Sequence, residues 1–126
     1  ICMVGGRIGK DGIHGATFSS LALDEFSHAT AVQLGDPITQ KRAMDFLLEA
    51  RDRGLYRTLT DNGAGGLSSS VGELAELAGG AIMDVALAKT KYPGLLPYEL
   101  VISESQERMT VVVPEEKLQE FIALAQ

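Results

Sequence analysis

Residues 60–77, TDNGAGGLSSSVGELAEL, decide how this chain is read. An acid and an amide precede three glycines within four positions, then come three serines and an apolar pattern of helical period. Leu67, Val71, Leu74, Ala75 and Ala78 fall on one helix face, and Gly79-Gly80 closes it. Residues 55–60 read as a strand, so the stretch forms a strand–turn–helix unit. A helix N-terminus exposes unpaired N–H groups and the positive end of the helix dipole, and glycines let an anion come close. Gly63, Gly65 and Gly66 are therefore candidate phosphate or backbone contacts. Asp61 could hold Mg2+, a hard cation that prefers oxygen ligands. The same residues also suit a plain turn, with Asp61 or Asn62 satisfying loop amides. No Gly-Lys-Ser/Thr follows at P-loop spacing.

Outward from this unit, strands and helices alternate. Residues 1–4 read as the end of a strand, and GGRIGKDGIHGATFSS (5–20) as a loop able to bring backbone close to a ligand. Residues 21–29 form a surface connection and 30–34 a short strand. Asp36 as N-cap, Pro37 in the first turn and Gly54 at the end bound a helix over 37–53. Its buried face is Ala43, Phe46, Leu47 and Ala50. The pattern predicts strands at 81–87 and 109–113, a short helix or strand at 98–102, and a helix over 115–125 with Leu118, Phe121, Ile122 and Ala125 inward. This is an α+β domain with a mixed or antiparallel sheet of about four strands. The chain opens on an apolar, strand-like run without an initiator methionine, which reads as a piece cut from something longer.

The totals narrow the function. At 126 residues, 45% apolar and 22% charged, the chain suits one packed domain. No apolar run nears the roughly 18 residues of a membrane span, and no signal peptide is visible. A net charge of −6 argues against nonspecific nucleic-acid binding, which uses basic patches. A phosphorylated ligand would need backbone amides and divalent cations to offset that charge. The lone Cys2 fits a reducing compartment and reads as a packing residue.

Other polar groups stand out. SESQER (103–108) sets six hydrogen-bonding side chains between apolar segments; Glu104 and Gln106 could bind a ligand, or the run could be a solvated loop. Gln33 lies in an apolar strand and needs partners if buried. His14 could donate to a phosphate or act as acid or base, or simply bond within its own loop. No catalytic triad or zinc-type Cys/His spacing is present.

Four segments in this order, GGRIGKDGIHGATFSS, VQLGDP, TDNGAGGLSSSVGELAE and SESQERM, resemble the phosphoribosylformylglycinamidine synthases (PurL) of the PurM-like ATP-dependent superfamily. The resemblance covers nearly the whole chain. It implies a PurM C-terminal-like domain over 21–126, with 1–20 as the tail of a preceding domain. The implied activity is a ligase step of purine biosynthesis in the cytoplasm. Formylglycinamide ribonucleotide (FGAR), ATP and glutamine give the amidine, ADP, phosphate and glutamate. ATP phosphorylates the amide oxygen and ammonia displaces the phosphate. By the same resemblance Gln33, Glu104, Ser105 and Gln106 bind substrate and Asp61 is a Mg2+ ligand, while His14 does not match the family's catalytic histidine. The remaining synthetase domains and a glutaminase subunit or domain are implied partners, so the isolated piece is expected to be inactive. Another PurM-like ATP-dependent synthetase or kinase, or a structural module, are the alternatives.

Overall fold

A computed structural model describes residues 1–13 and 35–126. Three antiparallel strands form the sheet: β1 (Cys2–Gly5), β2 (Thr58–Asp61) and β3 (Arg108–Val112). β3 lies between the other two, with Thr110 opposite both Met3 and Thr60. The α+β class is as the alternation predicts. The strand expected at 30–34 lies outside the described residues. Residues 2–5, which the sequence reading put in the tail before residue 21, pair along their length with β3.

Helices cover both faces of the sheet. Side chains alternate along β3, so Val111 points to one layer and Thr110 to the other. On the Val111 side, α1 (Pro37–Asp52) and α4 (Leu118–Leu124) close a core of Leu47, Ala50, Leu55, Val111 and Phe121. Phe46 meets Phe121 edge to face, ring centroids 4.9 Å apart. On the opposite side, α2 (Gly66–Ala78) and α3 (Pro97–Ile102) pack through Leu67, Val71, Leu100 and Ile8.

The local signals for α1 act as expected. The Asp36 carboxylate accepts from the N–H groups of Ile38 (3.1 Å) and Thr39 (3.2 Å), and Pro37 opens the first turn. Gly54 takes φ +62°, and the Leu55 N–H returns to the Ala50 carbonyl at 2.8 Å, which drops Leu55 into the core. That return delays β2 to Thr58–Asp61, later than the predicted 55–60.

Two expectations change, and one left open between helix and strand is decided. Residues 81–87 are not a strand: 81–84 are irregular and exposed, and a single 3-10 turn, Val85–Leu87, follows. Their apolar composition carried the strand signal, but no neighbouring strand among the described residues supplies a ladder, and the Asp84 side chain instead accepts from the Ala86 N–H at 3.0 Å. Residues 97–102 resolve as helix, its first turn held by the Glu99 carboxylate on the Leu96 N–H. The last helix is shorter than 115–125 and one-sided: Phe121 is buried, whereas Ile122 and Ala125 are exposed.

Two substitutions within α2 should have opposite signs. A Cβ on Gly66 (φ +55°) would lie 2.1 Å from the Ser103 carbonyl oxygen, whereas one on Gly72 meets nothing within 4 Å. Gly66→Ala is expected to lower stability in urea unfolding by more than about 2 kcal/mol, and Gly72→Ala to raise it by about 0.5–1 kcal/mol. A pH effect follows from the α1 cap. The Thr39 hydroxyl, bonded to Asp36, holds that carboxyl below the usual carboxylate range. The folded chain therefore takes up the proton less readily than the unfolded chain. The stabilisation is complete above the unfolded pKa and is lost as pH falls through the lower folded value. Circular dichroism in acid should show α1 fraying with that dependence in the native chain and without it in Asp36→Asn.

Candidate functional site

The turn after β2 and the run before β3 lie side by side. Asp61, exposed at the end of β2, accepts the Gly63 N–H on Oδ1 at 2.7 Å. Asn62 points the other way, to α2, where its Oδ1 accepts from the hydroxyls of Ser70 and of Thr110 (2.7 Å). Among the described residues its buried Nδ2 has no hydrogen-bond partner.

The start of α2 has a carboxylate on it. The Gly65 N–H donates to Glu104 Oε1 at 3.1 Å, the Gly66 N–H to the Gly63 carbonyl at 2.9 Å, and the Ser68 N–H to the Gly65 carbonyl at 3.1 Å. Glu104 is buried, so a carboxyl group of the protein itself sits at this helix N-terminus. A ligand phosphate reaching Gly65 would have to displace it.

Ser105 is also buried, and its hydroxyl is engaged. Oγ accepts the Gly9 N–H at 2.9 Å and donates to the Asp11 carboxylate, whose Oδ2 also accepts from Lys91 Nζ at 2.6 Å. The Glu104 N–H reaches the Asp11 carbonyl at 2.8 Å. Lys10 pairs with buried Glu99 at 3.1 Å. The Leu96 N–H, with the Lys10 ammonium behind it, holds the Glu99 carboxyl below the usual carboxylate range. Loop 8–11 is thereby fastened to SESQER and to 89–92, where Ile8 and Thr90 form a parallel bridge.

On the α1 side of the sheet these elements border a pocket of about 470 Å3. Met44, Leu47 and Leu48 of α1, with Leu59 and Met109, form its apolar wall; Asp61, Asn62, Gly63 and the run from Ser105 to Arg108 lie at its polar end. An apolar wall with a few convergent polar groups is the usual form of a small-molecule site. Of the residues singled out in sequence, the pocket brings together Asp61, Gly63, Ser105 and Gln106. Glu104, Gly65 and Gly66 lie behind it, on the α2 side. Gln33 and His14 fall outside the described residues.

Among the described residues no three His, Cys, Asp or Glu side chains gather as a metal cage. Asp61 alone suits Mg2+ held largely by water and ligand phosphates, the usual manner of that ion. Sequence reasoning missed Asp11 and Arg108, and it gave Asn62 to loop amides rather than to the hydroxyls of Ser70 and Thr110. Asp11 and Lys91 meet across 80 positions, and no local spacing signals such a contact. Ser105→Ala would leave the Gly9 N–H without its acceptor. It should destabilise by about 1–3 kcal/mol in urea unfolding and raise hydrogen exchange at Gly9.

Comparison with known proteins adds the family. The description AIR synthase related protein, C-terminal domain, matches residues 1–126. The chain is 42% identical over 125 residues to the phosphoribosylformylglycinamidine synthase subunit PurL of Thermomicrobium roseum, covering 98% of this chain and 17% of that protein. Thermotoga maritima PurL complexed with FGAR superposes with a TM-score of 0.85 at 38% identity, covering 98% of this chain and 21% of that one. The same protein complexed with ATP gives a TM-score of 0.78 at 32% identity, covering 97% and 18%. The chain thus spans about a fifth or less of the length of the proteins it matches. Matched along its whole length, it belongs to the AIR synthase related family, as a C-terminal domain of PurL type.

Proposed function

We propose that this chain supplies one side of the substrate pocket of a phosphoribosylformylglycinamidine synthase, a ligase of purine biosynthesis in the cytoplasm. One observation carries the reading: Asp61 and the neighbours Ser105 and Gln106, more than 40 positions further along the sequence, border the same pocket. The likeness to PurL complexed with FGAR and with ATP supports it. FGAR and ATP are the proposed substrates, and the remaining synthetase domains and a glutaminase supply the rest of the machinery.

In this reading the reaction needs two polyanions held close and charge neutralised as the phosphoryl group moves. Ser105 and Gln106 bound the ribonucleotide, and Glu104, from behind, holds the start of α2 in place. Gln33 is a further substrate ligand, and His14 a phosphate or backbone contact. Gly63 allows the chain to turn close to the ligand. Mg2+, held by Asp61, supplies the positive charge that this acidic chain lacks. The apolar wall from α1 excludes water from that end.

The test uses the full-length enzyme, with glutamine and ATP, and follows FGAR amidation. Asp61→Asn is expected to lower kcat/KM on the order of 100-fold and to shift Mg2+ saturation to higher concentration. Native rates with unchanged Mg2+ dependence would remove Asp61 from the site.

A further inference from the structure

We infer that Arg108 is the positioning residue of the ligand loop: its guanidinium fixes where Ser105 and Gln106 meet the pocket. The inference rests on the reading of that loop as substrate-contacting.

Arg108 opens β3 and is only 3% exposed. Its Nε donates to the Ser105 carbonyl at 2.7 Å and its Nη2 to the Ser103 carbonyl at 2.6 Å; Nη1 faces the Met3 sulfur at 3.8 Å. No carboxylate among the described residues forms an ion pair with it. Asp11 acts on it only through its field, and that carboxylate already holds Lys91. Burial pulls the Arg108 pKa down to about 10, so the group is still charged at neutral pH and its desolvation is offset chiefly by two peptide oxygens. Joining two carbonyls two residues apart uses the planar fork of a guanidinium, which an ammonium lacks.

A second, independent observation concerns Glu107. It is the only residue other than glycine with positive φ among those described, at +56°. Such a conformation persists where its surroundings over-determine it. The Glu107 carbonyl accepts the Gly6 N–H at 3.0 Å, and a Cβ on Gly5 would lie 1.9 Å from that oxygen. The carbonyls of residues 103, 105 and 107 are thus each held, the first two by Arg108 and the third by the end of β1. Gln106 sits between the two anchors. The loop has a fixed shape at the place where it borders the pocket.

Arg108→Lys keeps the charge and removes the fork; Arg108→Met removes both. In the full-length enzyme, both variants are expected to raise KM for FGAR by about 10-fold or more while lowering kcat less. Added guanidinium at millimolar concentration should bring an Arg108→Ala enzyme back toward the native KM. Variants that melt at lower temperature yet keep the native KM would overturn the assignment, as would failure of every variant to fold, since the residue would then serve stability alone. A native enzyme that turns over FGAR beside variants with unchanged KM sinks the role of Arg108 only. A native enzyme without that turnover sinks the reading of the loop itself.

Discussion

The structure depends on a close approach of two backbones, Gly66 at the start of α2 against the Ser103 carbonyl. A Cβ at residue 66 would lie 2.1 Å from that oxygen, so only glycine lets the helix begin there. Gly5 makes the same kind of approach to the Glu107 carbonyl from the end of β1. Between these two seats the chain from 103 to 107 has little room for another path. It leaves as β3, which carries both other strands and a core on each face. The glycines that first suggest a phosphate loop act in large part as contact points between segments of the protein.

Charge follows the same economy. The chain carries six more negative than positive groups, yet several of its carboxylates are turned inward onto its own amides and cations. Glu104 sits on the N-terminus of α2, Asp11 joins Lys91 to Ser105, and Glu99 joins Lys10 to the start of α3. Asp61 differs. It is exposed, bonds only the Gly63 N–H among the contacts described, and stands at the polar end of the pocket. Unlike those three carboxylates, the Asp61 side chain is left open to solvent at the pocket.

Much of the fold was legible in short windows. The Asp36-Pro37 start and the Gly54 end of α1 are local hydrogen-bond and dihedral events, and the structure reproduces them. The α2 face of Leu67, Val71 and Leu74 follows from period alone, whereas Ala78, on the same stripe, is exposed past the end of the packed region. Residues 81–87 misled because apolar composition measures readiness to be buried, while a strand also needs a neighbour to pair with. Asp61, Ser105 and Gln106, singled out by motif, border the pocket. The engagement of the Ser105 hydroxyl by Gly9 and Asp11 was not legible in this way, since it spans 94 to 96 positions.

By itself, the sequence determined the α+β class, the strand–turn–helix at 60–77 and the family, because capping, periodicity and motif order are properties of neighbouring residues. Tertiary structure alone decided that the Glu104 side chain accepts the Gly65 N–H at the start of α2, and that Arg108 lies buried beneath the loop. Each of these is a contact between segments brought together by packing two layers onto one sheet. A hydrogen-bond donor takes the acceptor that packing brings within reach, and no local spacing states which one that is.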